Sequence, residues 1–269
     1  MAWERFEASL WRTTSLLVLA DGESLVVDPA ITADEVVGID RRGLELGAPI
    51  RHVLITHGDW DHVCGIGAFP DATVTMGEET AELVTSGEAE KSIKRGADEY
   101  EVVVSGSPRF DQTFPRGSAI ALGPFLVETF PLTGHTPDGS GYRIREHGLL
   151  IVGDHLSAVE FPFASSPGAY RTTLARLVEM LREDPPDTVI PGHGPPLEAK
   201  EALAIAEADL EYLRALHKAV LDAVGQGWSR ERMRAGGLAV DLPRPCASDL
   251  EKMRGFNVDR QIDEVLAGA

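Results

Sequence analysis

Residues 56–65, THGDWDHVCG, place His57, Asp59, Asp61 and His62 within six positions, and each of these side chains is of a type that binds metal ions. Three further candidates stand apart in the chain: His135 in LTGHTP, Asp154 in LLIVGDH and His193 in VIPGHGP. A metal site needs deprotonated nitrogen or oxygen donors held about 2.0–2.2 Å from the ion. Glycine beside a donor lets the backbone turn sharply, and Gly58 and Gly192 stand next to two of these positions. All seven candidates follow apolar runs: RHVLIT leads to the first four, FLVETFPLTG to His135, LLIVG to Asp154 and DTVIPG to His193. Side chains that leave neighbouring strands at their ends can converge on one edge of a sheet. The chemistry within reach is metal-assisted attack by water.

The elements that must carry these residues are legible from periodicity. Strand-like runs bounded by Gly, Asp or Pro occur at SLLVLADG, ESLVVDPA, RHVLITH, ATVTM, YEVVV, AIALG, FLVETF, GYRIR, LLIVGD and DTVIPG. Helical spacing predicts helices at 33–46, 78–95 and 169–182, the last with Tyr170, Leu174, Leu177, Val178 and Leu181 on one stripe. A long helix is predicted over 198–224, with Leu203, Leu210, Leu213, Leu216 and Val220 on its inner face. Two shorter helical segments, 229–236 and 247–268, are joined by the Pro-rich LPRPCA. Strands feeding helices throughout predict a layered α/β or α+β fold. Residues 198–269 read as a helical extension packed on the domain formed by 1–197.

Bulk composition excludes several classes. An apolar fraction of 43% and a charged fraction of 25% belong to a folded globular chain. The net charge of −18, from 43 acidic against 25 basic residues, repels nucleic acid and anionic membrane faces, which leaves a small-molecule substrate. The opening MAWERFEASLWRTTSLLVLADG has the form of neither a signal peptide nor a membrane span, so the expected location is the cytoplasm. Cys64 and Cys246 belong to no paired-cysteine motif and read as thiols, Cys64 packing behind the ligand loop. His52, His147 and His217 read as structural or surface residues. The sequence names no oligomeric state.

On these motifs the chain resembles the metallo-β-lactamase-fold superfamily, whose signature is His-x-His-x-Asp-His, a later His, an Asp after a strand and a final Gly-His-Gly. The resemblance covers about residues 12–200. It implies a four-layer αββα sandwich of the α+β class and a pair of divalent metal ions, zinc first. By the same resemblance His57, Asp59 and His135 would hold one metal, Asp61, His62 and His193 the other, and Asp154 would bridge them. Asp28 matches the family's early aspartate that braces the ligand loop. Asp59 departs from the pattern, which usually has histidine there. Two divalent ions bring four positive charges, and a bridging hydroxide with three carboxylates brings as many negative ones, so water at this site should be less acidic than in the usual pattern. Carboxylate is also a harder donor than imidazole and admits iron or manganese.

The resemblance implies a binuclear metal-dependent hydrolase in which a hydroxide bridging the metals attacks the carbonyl of an ester, thioester, lactone or amide. Asp61 would orient that hydroxide and carry a proton, and His155, directly after Asp154, is a further catalytic candidate. Trp60, Phe161 and Phe163 are candidate substrate contacts, since the loop HLSAVEFPFASSPGAY follows Asp154. The rival class is a diiron redox or oxygen-binding protein, because the flavodiiron branch carries a glutamate where Asp59 stands.

Overall fold

The computed structural model describes residues 2–102, 104, 106–247 and 253–267. Two mixed sheets stack face to face. The first runs β1 (Ala2–Glu7), β2 (Thr14–Ala20), β3 (Glu23–Val27), β4 (Ile50–Ile55), β5 (Thr73–Gly77) and β6 (Gln112–Phe114), in that spatial order. It is antiparallel through β3 and parallel from there on. The second has the order β11 (Thr188–Ile190), β10 (Leu149–Ile151), β9 (Ser140–Ile144), β8 (Phe125–Pro131) and β7 (Ala119–Leu122), with only β10 and β11 parallel.

The twofold alternation of strand side chains explains the layering. On β2 and β3, Leu16, Val18, Leu25 and Val27 meet Phe125, Val127, Tyr142 and Ile151 of the second sheet. Leu17 and Val26 point the other way, into a layer with Val36 and Ile39 of α1 (Ala33–Glu45). The opposite outer face is covered by α5 (Pro167–Glu183) and α6 (Ala199–Gly225). Three apolar layers between four tiers make the αββα sandwich expected of the sequence.

Local chemistry sets the helix limits. α1 starts at a capping box in which Thr32 Oγ1 accepts from Glu35 N and the Glu35 carboxylate accepts from Thr32 N. The single helix expected at 78–95 is two, α3 (Glu78–Thr85) and α4 (Glu88–Tyr100), because Gly87 takes a φ of 77° between them. Among the described residues of YEVVV no strand forms: Tyr100 closes α4, and Val102 and Val104 pack on the first sheet's helical side. Val103 lies outside the described residues. β1 and β6 were not expected.

The stripe on α5 is buried as its spacing predicts, with Tyr170, Leu174, Leu177 and Leu181 against α6. On α6, Leu210, Leu213, Leu216 and Val220 are buried, while Ala202 takes the place expected of Leu203, which is only partly covered. Each fully buried leucine contributes about 1.5–3 kcal/mol. After α7 (Arg230–Arg232) and the Pro-rich strap, α8 (Arg254–Ala267) packs Val258, Ile262 and Val265 into the same cluster. Residues 248–252 of the expected last helix lie outside the described residues. Among the described residues, no helix is long and apolar enough to cross a membrane.

Candidate metal centre

Strand ends on both sheets deliver the site. β4 runs out at Ile55, and Thr56 and His57 follow it directly. A one-turn helix, α2 (Trp60–Val63), then folds Asp61 and His62 inward, with His62 N bonded to Asp59 O at 3.0 Å. This turn sits so close to the end of β3 that a Cβ on Gly65 would lie 1.5 Å from Pro29 O. His135 comes from the loop after β8, Asp154 from the end of β10 and His193 from the end of β11. Those last two loops are tied by Gly192 N donating to Gly153 O at 2.6 Å. A side chain at Gly192 would displace the Asp154 carboxylate, since a Cβ there would stand 2.1 Å from Asp154 Oδ1.

All seven candidates meet. One ligand atom from each of His57, Asp59, His135 and Asp154 lies within 4.8 Å of the others, and the same holds for Asp61, His62 and His193. Asp154 also reaches the second group, its Oδ1 3.2 Å from His62 Nε2 and its Oδ2 3.1 Å from His193 Nε2. Cys64, His52, His147 and His217 belong to neither group. Cys64 is buried behind the loop, near Ala30 O.

Each imidazole is held from its far side. His62 Nδ1 donates to Asp28 at 2.9 Å, His135 Nδ1 to Phe163 O at 2.9 Å and His193 Nδ1 to Trp11 O at 3.0 Å. His57 Nδ1 lies 2.9 Å from Thr56 Oγ1, whose own proton goes to Asp28 at 2.6 Å, so the hydroxyl accepts from the ring. Donation through Nδ1 fixes the tautomer and leaves every Nε2 lone pair facing the centre. Asp28 therefore serves both ends of the ligand loop, and it accepts Thr56 N at 2.8 Å as well.

Divalent cations fit this arrangement. The buried atoms His57 Nε2, His62 Nε2 and Asp154 Oδ1 make no well-aligned hydrogen bond and face only one another and the other donors, an expensive state for groups cut off from water. Four imidazole nitrogens and three carboxylates are a donor set suited to zinc, manganese or iron. Burial and the neighbouring His62 oppose a charge on His57, yet Asp154 and Asp59 outweigh them and raise its pKa to about 9. Burial likewise opposes the charge on His193, and Asp154 with Glu160 and Asp61 raises it to about 9. Packing opposes the charge on Asp59, but His135 and His57 hold its carboxyl well below the usual range. Without a cation, protons fill the role of one.

The centre forms the floor of a cavity of about 410 Å³. Its walls are Trp11, Trp60, Phe163, Met253 and Phe256, with Thr136, Ser165 and the carboxyl of Glu160 between them. Trp60 and Phe163 thus reach the pocket, whereas Phe161 is buried behind Phe163, ring centroids 4.3 Å apart. His155 is not on this wall. It stacks on Tyr170 at 4.4 Å, and burial with nearby His135 depresses its pKa to about 3, so it is a neutral ring packed behind Asp154. Burial and the Asp154 and Asp61 carboxylates push Glu160 up to about 7, against the pull of His193.

Sequence reasoning passed over Trp11, Thr13, Glu160, Met253 and Phe256. Trp11 and Arg12 take φ of 51° and 58°, which bends the chain so that Trp11 O and Thr13 Oγ1 both reach the centre. Thr13 Oγ1 donates to Asp61 Oδ2 at 3.1 Å. Only the crowding of Trp11 and Thr13 before the first inner strand hinted at this.

A family model described as the metallo-beta-lactamase superfamily matches residues 9–193. The uncharacterized protein YobT of Bacillus subtilis (strain 168) is 26% identical over 208 residues, 70% of this chain and 86% of YobT. The probable metallo-hydrolase YqgX of the same organism is 24% identical over 200 residues, 72% of this chain and 91% of YqgX. Among solved structures, a metallo-beta-lactamase family protein from Thermus thermophilus superposes with a TM-score of 0.68 at 19% identity, covering 97% of this chain and 90% of that one.

Proposed function

Because the chain belongs to the metallo-beta-lactamase superfamily, we propose that it is a binuclear metal-dependent hydrolase that cleaves an ester, thioester, lactone or amide bond of a small molecule. The observation that carries this reading is the meeting of seven donor side chains from both sheets in two adjoining groups, with Asp59, Asp61, His135, Asp154 and His193 lining one pocket and His57 and His62 buried behind them. His57, Asp59 and His135 would hold one divalent ion and Asp61, His62 and His193 the other, with Asp154 between them. Bound there, two cations supply Lewis acidity that lowers the pKa of water and polarises a carbonyl oxygen. Zinc suits the imidazoles, and the Asp59 carboxylate keeps iron and manganese open.

The chain's own residues do the rest. Asp61 orients the attacking water, takes its proton on a carboxylate oxygen and passes it to the leaving group. Thr13, donating to Asp61 Oδ2, fixes the rotation of that carboxylate. The aromatic walls exclude bulk water and receive an apolar part of the substrate. No lysine or arginine lines the pocket among the described residues, so an anionic substituent lying away from the metals has no cationic side chain to pair with. Uncharged esters, thioesters and lactones should therefore be preferred to phosphoesters and to carboxylate-bearing β-lactams. Cys64 and Cys246 are not joined in a disulfide, which suits a reducing, cytoplasmic setting.

The test is a hydrolysis screen of zinc-, manganese- and iron-loaded protein across lactones, thioesters, phosphoesters and β-lactams. Cleavage of none of them by any metal form refutes the reading. The Asp59 carboxylate in the first donor group favours a second reading, a diiron redox or oxygen-binding protein. Iron in the purified protein with an oxo-bridge absorption band, and no hydrolysis, would decide for it.

A further inference from the structure

The C-terminal extension reaches the metal centre through one side chain. Asn257, on α8, is 0% exposed, a costly place for an amide unless all its polar atoms are paired. They are. Oδ1 accepts from Ala164 N at 2.9 Å, and Nδ2 donates to Pro162 O at 2.6 Å and to the Tyr212 hydroxyl at 3.3 Å. The amide can sit only this way round, because Ala164 presents an N–H and Pro162 a carbonyl.

The two residues it grips flank Phe163, and Phe163 O is the acceptor for His135 Nδ1. Arg244 holds the same loop three residues earlier in the chain, donating to Glu160 O at 2.6 Å while its guanidinium is paired with Asp209 on α6. Backbone groups of residues 160, 162 and 164 are thus spent on the extension, and the carbonyl of 163 on the site.

We propose that Asn257 is a positioning residue for the first metal site: by clamping both neighbours of Phe163 it fixes the carbonyl that turns His135 Nε2 toward the centre. This rests on the reading of His135 as a metal ligand. An imidazole is oriented by the bond its other nitrogen makes, and a carbonyl anchored on both sides cannot follow the ring if it swings. The second group is braced from elsewhere, His62 by Asp28 and His193 by Trp11 O. The extension therefore sets the affinity of one site and not of the other.

The experiment is a zinc titration of the full chain against a competing chelator, with Asn257→Ala, Asn257→Asp and Ile262→Ala. The aspartate keeps an acceptor for Ala164 N but turns an oxygen toward Pro162 O. Ile262, 1% exposed on the same helix, packs without bonding the loop. Both Asn257 variants should bind their first-site zinc about tenfold more weakly or worse, with the second site unchanged. Ile262→Ala should melt at lower temperature and keep both zincs. In the cobalt-loaded wild type the His135 ring N–H should exchange slowly with solvent. Wild-type affinities in both Asn257 variants, selective loss of the first site in Ile262→Ala, or fast exchange of that proton overturns the proposal. If neither Asn257 variant folds, the exchange rate in the wild type decides. A wild type that takes up no metal defeats the hydrolase reading and this proposal together, whereas two tightly held zincs with indifferent variants defeat this proposal alone.

Discussion

Removing the Asp59 carboxylate should weaken the first metal site and leave the second filled. Its Oδ2 lies 3.2 Å from His135 Nε2 and 3.6 Å from His57 Nε2. Taking that 3.2 Å donor spacing as a generous distance from the carboxylate to a cation held among these donors, even one unit of positive charge interacts with it by about 5 kcal/mol at an effective dielectric constant of about 20. The Asp59 side chain is 47% exposed, against 8% for Asp154, so solvent screening reduces that to about 2–3 kcal/mol. At about 1.4 kcal/mol per tenfold, Asp59→Ala should weaken the first site about thirtyfold to a hundredfold while the second keeps its metal. Asp59→His restores a donor but removes a negative charge. Zinc should then gain on manganese and iron, and the pKa governing the alkaline rise in rate should fall. Competitive metal loading and pH–rate profiles of the three proteins check both statements. If Asp59→Ala equals the wild type in occupancy and rate, Asp59 is not a ligand and the charge argument collapses.

Other perturbations follow from the same geometry. His62→Ala or Asp154→Ala should abolish hydrolysis and lower metal content with the fold retained by circular dichroism; undiminished turnover in either would sink the shared-centre assignment. In metal-free protein His57 and His193 carry pKa values of about 9, above the unfolded value of about 6.5. Their protonation stabilises the fold below about pH 6.5, and that contribution is lost as pH rises to about 9. Metal uptake at about pH 7 should accordingly release protons, read by calorimetry in buffers of different ionisation enthalpy, and no dependence on the buffer would contradict it. Truncation after residue 200 uncovers the α5 stripe of Leu174, Leu177 and Leu181, so we expect insoluble or unfolded protein. A soluble, active fragment would show that 198–269 is dispensable. Leu174→Ala should cost about 2–5 kcal/mol in chemical denaturation, and a change under about 1 kcal/mol would mean the layer is looser than drawn.

The seven candidate donors were legible because each follows an apolar strand, and strand ends are where a sandwich exposes side chains to one another. Periodicity alone predicted only a layered α/β or α+β fold, and the αββα order came from the family resemblance; its physical basis is that β2 and β3 send alternate residues to two different cores. Elements that depend on a partner were not legible. Val102 and Val104 have the composition of a strand but meet no free edge. β1, by contrast, mixes Glu4 and Arg5 between Trp3 and Phe6 and forms only because β2 offers one. The break at Gly87 and the left-handed turn at Trp11 and Arg12 are backbone choices forced by packing. Asn257 and Glu160 stand 97 positions apart, and nothing local to either says that both serve one loop.

Each donor group draws on both sheets: His57, Asp59, Asp61 and His62 follow β4, while His135, Asp154 and His193 follow β8, β10 and β11. This has a consequence for biogenesis. A nascent chain that has completed only its first sheet offers an open half-site of two imidazoles and two carboxylates, with no geometry to choose among cations. His193 closes the second group near the end of the sandwich, and Asn257, which grips the loop that braces His135, lies on α8, after every strand of the sandwich. If these groups hold metal, capture would therefore come only after both sheets have been made. The identity of a bound metal would then be set by the pool that the folded sandwich meets, and overproduction in a zinc-rich or iron-rich medium should leave its imprint on the purified protein.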